Sequence, residues 1–409
     1  MQVYRVGGVV RDKLLGIKSK DIDWVVTGST PEEMISDGYR PIGKDFPVFL
    51  HPESKQEYAL ARTERKISKG YAGFNFNTDP EITIEQDLAR RDLTINAIAQ
   101  DEQGNIIDPF NGQQDVKDRV LRHVSDAFVE DPVRVLRVAR FAARFHSLGF
   151  SIAKETKQLI KQIADSGELN ALVAERVWVE MDKALAESDP QVFFTSLREC
   201  EVLSTLFPEI DNLFGIPQTA KYHPEVDTGI HVMMVLKKTA ELNFDNEIRF
   251  AALTHDLGKA NTPGNILPSH HGHEQRGVKL TRQFCKKWRV PKATTELALL
   301  TCEFHTHIHR VYELKPSTLL KLFKQTDCFR RPERFTKMTN ACIADVRGRT
   351  SFENEPYPQA AYAVRLVEKL NALDLSPVLN SGIKGKELGQ EIYNFRLQYL
   401  KSIIEKIPE

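Results

Sequence analysis

The chain has 409 residues, enough for two or three domains, and at 41% hydrophobic it can bury sizeable cores, which excludes a wholly disordered protein. Lys plus Arg and Asp plus Glu number 56 each, so the formal net charge is zero and composition gives no support for a nucleic-acid partner; a basic face has to come from local patterning. The five cysteines (Cys200, Cys285, Cys302, Cys328, Cys342) are odd in number and form no CxxC pair, which argues against a disulfide framework or zinc ribbon. The first residues carry no apolar signal segment and no run reaches membrane-span length, so a soluble, cytoplasmic protein with no membrane partner is expected.

In chain order, residues 3–6 predict a short strand running into Gly7-Gly8, and residues 11–15 a helix. Strands are expected over 22–27, 48–51 and 58–63, a helical pattern over 85–99, and a turn cluster at 108–112. After about residue 130 the strand signals stop. Helices are expected over 132–145, 154–164, 174–186 and 190–203, then a proline-spaced loop over 208–224 and a second helical block holding most of the histidines. Further breaks at 331–332 and 355–358 precede a helical tail. The expected class is α+β: a head over 1–130, a helical neck over 131–224, a histidine-rich body over 225–330 and a tail over 331–409.

The sharpest local feature is Asp21-Ile22-Asp23. Residues i and i+2 of a strand share a face, so the two carboxylates project together and repel unless a cation lies between them. Phosphoryl-transfer enzymes use such pairs to hold one or two Mg²⁺. Gly7-Gly8 stands between a strand and a helix, where bare N–H groups can cradle phosphates, and Arg11 lies one turn further on. A strand running through 58–64 would set Tyr58, Leu60, Arg62 and Glu64 on one face, making Glu64 the candidate third carboxylate, with Glu57 and Glu53 as competitors. In the run from Arg90 to Ala99, Arg90 and Arg91 are placed to reach a phosphate or ribose.

Asp131-Pro132 reads as the N-cap and first position of a helix. Arg134, Arg137, Arg140 and Arg144 then fall on one stripe, and four such cations call for anionic partners, for which a triphosphate and an RNA backbone are suited. Asp131 reads equally as a simple cap. Paired with Arg134 it can also accept from the exocyclic amine of C or A while the guanidinium donates to their acceptor edges.

Taken together, Gly7-Gly8 with Arg11, Asp21-x-Asp23, Arg62-Thr63-Glu64, Arg90-Arg91-Asp92 with Asn96, and Asp131-x-x-Arg134 with Arg137 and Arg140 resemble the class II CCA-adding tRNA nucleotidyltransferases, whose heads are polymerase-β-like. The resemblance implies that Asp21 and Asp23 bind Mg²⁺, that Gly8, Arg11, Arg91, Arg137 and Arg140 contact CTP or ATP, and that Asp131 and Arg134 form an amino-acid template. It implies tRNA as partner, with CTP and ATP as substrates, in a monomer or homodimer. Rival readings are a poly(A) polymerase, which shares the head, and a phosphohydrolase whose head is regulatory.

The later stretches, His223 to His231, His255-Asp256-Leu-Gly-Lys259 and Asp345 to Arg349, resemble the multifunctional subgroup that carries an HD domain. His231, His255, Asp256 and Asp345 would complete an H…HD…D set able to hold Ni²⁺, Co²⁺ or Mn²⁺ for phosphatase and 2′,3′-cyclic phosphodiesterase chemistry. Extra ligands are available from His270, His271 and His273 and from His305, His307 and His309. The subgroup pattern has an Asp directly after the residue matching His305, where this chain has Thr306, leaving Asp345 as the alternative last ligand.

Overall fold

The computed structural model describes residues 1–19, 22–42, 48–66 and 74–404. Its head is organised by the pairing of β1 (Gln2–Val6) with β2 (Asp23–Thr27), which is antiparallel and sets Val6 opposite Asp23. That register carries the start of β2 to the point where β1 ends in Gly7-Gly8, so the acidic strand end and the glycine turn become neighbours. Gly7 has φ +67°, a backbone conformation that favours glycine. Short α1 (Gly8–Leu14) follows, then α2 (Pro31–Ser36).

β3 (Arg40–Ile42), β4 (Val48–Leu50) and β5 (Glu57–Leu60) extend the sheet on one side, β8 (Ala99–Gln100) and β9 (Ile106–Ile107) on the other. The order is β3-β4-β5-β2-β1-β8-β9, with β2 and β5 parallel. Val25, Leu88 and Ala99 are buried in one cluster of apolar side chains, and Val26, Met34, Phe49 and Leu60 in another. Two expected elements divide. The strand expected over 58–63 ends at Leu60, and Thr63–Lys66 forms β6, which pairs with β7 (Phe74–Asn77) in a separate two-stranded sheet. Alternation therefore does not carry from Tyr58 to Glu64: the Glu64 backbone lies in that hairpin, and its side chain is outside the described residues.

The helical pattern over 85–99 also breaks, into α3 (Ile84–Ala89) and a 3₁₀ turn at Thr94–Asn96. The Asp92 carboxylate accepts from the Leu93 N–H and from the Asn96 amide at 2.8 and 2.9 Å, local bonds that compete with a continuing helix. After α4 (Gly112–Asp118), β10 (Val120–Leu121) pairs in parallel with β11 (Ser151–Ile152) across α5 (Val133–Phe145). Then come α6 (Lys154–Asp165), α7 (Ala174–Leu185), α8 (Gln191–Glu199) and α9 (Leu203–Leu206). Val135, Leu136, Val138, Ala139 and Ala142 bury one side of α5, and Phe141 stacks on Phe145 with centroids 5.9 Å apart.

The chain forms two units: Met1–Ala184 with Val192–Leu206, and Leu185–Gln191 with Phe207–Glu409. The second unit is helical throughout its described elements. It comprises α10 (Pro208–Asp211), α11 (Thr228–Glu241), α12 (Asn246–Thr254), α13 (His273–Lys287), α14 (Lys292–His309), α15 (Pro316–Gln325), α16 (Pro332–Arg347), α17 (Pro358–Asn371), α18 (Ser376–Leu379) and α19 (Gly385–Ile403). Helix α12 is the hub, packed on α11, α14 and α16, and its Phe250, Ala251 and Leu253 are fully buried. No helix among the described residues is long and apolar enough to cross a membrane.

Candidate active sites

In the first unit Gly8, Arg11, Asp23, Arg91, Asp131, Arg134, Arg137 and Arg140 all line one cavity of about 570 Å³. Asp21 lies outside the described residues. Asp23 is exposed at the start of β2, beside the glycine turn. An open carboxylate oxygen at a phosphate-sized turn suits a hard cation such as Mg²⁺, which favours oxygen ligands.

The arginine stripe on α5 already has partners within the protein, since each member donates to a carboxylate or a carbonyl. Arg137 donates to Asp92 at 2.7 Å, Arg140 to Glu180 at 2.6 Å and Arg144 to Asp12 at 3.2 Å. Arg134 donates to the carbonyls of Ala127 and Arg90 at 2.7 and 2.5 Å. Arg11 is buried, donates to Asp12 and Asn96, and lies 4.9 Å from the Phe145 ring centroid; burial pulls its pKa down from the usual guanidinium value. Asp92 is buried too, which pushes its pKa up, yet the Arg137 charge and its hydrogen bonds outweigh this and hold it well below the carboxylate range. Arg90 and Arg91 share the buried Asp87, 2.6 and 3.1 Å away. The cavity is thus lined by cations held in place by protein acceptors, an arrangement that favours an anion with little reorganisation.

Asp131 meets its capping reading in part, and its second partner is one the sequence did not suggest. It precedes α5, and Oδ1 accepts from the Val133 N–H at 3.2 Å, the capping interaction, although Pro132 rather than Asp131 occupies the N-cap position. The same carboxylate receives a two-pronged pair from Arg176 on α7, at 3.0 and 2.7 Å.

In the second unit five elements converge. His231 comes from α11, His255-Asp256 from the end of α12, His273 from the first residue of α13, His305 from α14 and Asp345 from α16, and all are buried. Their donor atoms fall into two groups, His231/His255/Asp345 and Asp256/His273/His305, each with its atoms within 4.8 Å of one another. The close approach has a cause in two glycines. A Cβ on Gly258 would lie 1.9 Å from the His273 carbonyl oxygen, and one on Gly277 2.5 Å from the Cys302 sulfur.

The tautomers decide whether a cation fits. His273 Nδ1 is 2.9 Å from the His270 carbonyl, and His305 Nδ1 is 3.0 Å from that of Thr301, so each Nδ1–H donates and each Nε2 carries a lone pair. Yet the two Nε2 atoms are 3.1 Å apart, with Asp256 Oδ1 at 3.4 and 3.7 Å. Facing lone pairs repel unless a cation or proton intervenes, and burial followed by the His255 charge holds His305 well below the usual imidazole pKa, which disfavours the proton. His255 Nδ1 likewise donates to the Ala252 carbonyl at 2.7 Å, which aims its Nε2 at Asp256 Oδ2, 3.1 Å away. The donor set of imidazoles and carboxylates fits a divalent transition metal.

Behind these donors, His309 bridges Asp345 Oδ2 (2.7 Å) and the Tyr357 hydroxyl (2.8 Å), and Lys259 Nζ lies 2.7 Å from Asp256. His270 binds Thr262 and the Pro217 carbonyl instead of joining either group, and His271 and His307 line an adjoining cavity of about 470 Å³. The Thr306 hydroxyl donates to Glu274 at 2.8 Å, so it does not take an acid's place in the cluster; Asp345 is the carboxylate that joins His231 and His255.

Comparison with known proteins gives the family of the chain. Residues 3–122 match the poly A polymerase head domain, 149–214 the probable RNA and SrmB-binding site of polymerase A, and 228–331 the HD domain. The multifunctional CCA protein of Thioalkalivibrio sulfidiphilus is 55% identical over 98% of both chains, and that of Haemophilus influenzae 53% identical over 100% of both. The chain belongs to the multifunctional CCA protein family. Its fold is that of the CCA-adding enzymes, among them an apo form (TM-score 0.66, 21% identity, 98% of this chain and 88% of that one). The Bacillus stearothermophilus CCA-adding enzyme in complex with CTP is another (TM-score 0.64, 21% identity, 98% and 90%).

In the first unit, the acids and the arginine that organise the site were not legible in the sequence. Arg176 and Glu180, one turn apart on α7, serve Asp131 and Arg140, yet Ala174-Glu-Arg-Val-Trp-Val-Glu180 reads as an ordinary amphipathic helix. Their spacing of four was the available signal. Glu225, 2.9 Å from His231 Nδ1, and Lys259 were also overlooked, although Lys259 stands in the quoted His255-to-Lys259 run.

Proposed function

We propose that the chain adds and repairs the 3′-terminal CCA of tRNA, taking CTP and ATP as substrates and using protein side chains in place of a nucleic-acid template. The observation that carries this reading is the single cavity shared by Asp23, the glycine turn, the arginine stripe and the pair Asp131/Arg134. Arg11, Arg91, Arg137 and Arg140 bind and orient the triphosphate, their geometry fixed beforehand by Asp12, Asp87, Asp92 and Glu180. Asp131 accepts from the amine of C or A while Arg134 donates to the ring, so the carbonyl of U or G at the amine position meets a carboxylate instead. Asp21 and Asp23 would hold Mg²⁺, which when bound supplies charge neutralisation at the reacting phosphate. Glu64 is proposed as the third carboxylate.

The histidine-rich unit is proposed to hydrolyse phosphate esters, including 2′,3′-cyclic and 3′-phosphate ends of damaged tRNA that must be opened before C can be added. His231, His255, Asp256 and Asp345, with His273 and His305, would hold Ni²⁺, Co²⁺ or Mn²⁺, which when bound makes hydroxide available near neutral pH. Incubating the protein with a tRNA lacking CCA and labelled CTP and ATP tests the first activity. Three additions are expected; a long A tail indicates a poly(A) polymerase, and no addition a regulatory head. Hydrolysis of 2′,3′-cyclic AMP and p-nitrophenyl phosphate across several metals tests the second, and its absence in the wild type would leave the unit structural.

A further inference from the structure

The pair between Arg176 and Asp131 bears on how the base is chosen. An ionised carboxylate offers about four acceptor positions, two on each oxygen. The Arg176 fork takes one on Oδ1 and one on Oδ2, at 3.0 and 2.7 Å, and the Val133 N–H takes a second on Oδ1 at 3.2 Å. One position is left, on Oδ2. The fork is planar, so it also fixes the plane of the carboxylate and hence the direction of that last lone pair. Both residues line the same cavity as Arg134 and Asp23.

We infer that Arg176 is a specificity-determining positioning residue, which leaves Asp131 a single aimed acceptor for the exocyclic amine of C or A. This rests on the reading of Asp131 as part of the template. Without the fork the carboxylate rotates about its two side-chain torsions and exposes several acceptors to water. A bridging water then lets it tolerate the carbonyl of U or G. Helix α7 is suited to the task because the same face carries Glu180, which fixes Arg140, so one rigid element orients both a base-reading acid and a phosphate-binding arginine.

The test measures kcat/KM for CTP, ATP, UTP and GTP on a tRNA lacking CCA, in wild type, Arg176→Ala, Arg176→Lys, Asp131→Ala and the double variant, with circular dichroism as the folding control. The expected result is a loss of C-over-U discrimination on the order of tenfold in Arg176→Ala. Arg176→Lys, which keeps charge but not the fork, should lose part of it, and the double variant should discriminate no worse than Asp131→Ala alone. If Asp131→Ala loses discrimination while folded Arg176→Ala and Arg176→Lys keep it, the positioning role is wrong and the template reading survives. If Asp131→Ala itself discriminates normally, both fall. Equal loss with all four nucleotides in the Arg176 variants would mark a merely structural ion pair and also overturn the proposal.

Discussion

At the residue scale, Asp23→Ala is expected to abolish both C and A addition while leaving the circular dichroism spectrum and tRNA affinity near wild type, because the side chain is exposed and supports no packing. Near-normal turnover with Mg²⁺ would mean that the metal site is elsewhere. Arg134→Ala should relax nucleotide choice by about 1–3 kcal/mol, whereas Arg137→Ala should weaken all triphosphates alike. Asp92 supplies a pH prediction. Its folded pKa is depressed below the unfolded value of about 3.9, so its contribution to stability is complete above that pH and is lost as pH falls through it toward the folded value. The gap in urea midpoint between wild type and Asp92→Asn should therefore be full at pH 7 and begin to narrow only below about pH 4, shrinking further as pH falls toward the folded value. A gap that stays constant from about pH 4 down to about pH 2 would exclude the ionised pair with Arg137 as its source. Most of the candidate residues were legible in the sequence because their spacing encodes their chemistry. Their partners were not: Asp12 lies 132 positions from Arg144, and Glu180 lies 40 from Arg140, separations that only the fold closes.

At the scale of elements, sequence periodicity located α5, α6 and α7 to within a residue or two, while the helix expected over 190–203 ends at Glu199 and a separate α9 begins at Leu203. It failed over 58–64 and 85–99, where the run of favourable residues crosses a change of sheet or a side-chain cap that no periodicity records. The close approaches at the histidines were equally hidden, since they depend on Gly258, in the turn after α12, lying against α13, and on Gly277 of α13 lying against Cys302 of α14. Gly258→Ala should force α13 away from that turn, destabilising the second unit by about 1–3 kcal/mol through overpacking and displacing His273. Metal-dependent phosphatase activity should fall in that variant while CCA addition persists. Full hydrolase activity would show that the approach of His273 to Asp256 is not required.

At the scale of the molecule, zero net charge conceals a cavity built from arginines and matched acids in one unit and a cluster of imidazoles and carboxylates in the other. The residues of each site lie wholly within its own unit, so the two chemistries should be separable. His255→Ala is expected to lose metal-dependent hydrolysis and keep CCA addition, with Asp23→Ala doing the reverse; loss of both activities in either variant would contradict the division. The central claim is that side chains alone select the three nucleotides. It is tested most directly by incubating the purified protein with a tRNA lacking CCA and equimolar CTP, ATP, UTP and GTP, then sequencing the 3′ ends. The account predicts ends reading CCA with no further extension, and runs of A or incorporated U and G would contradict it.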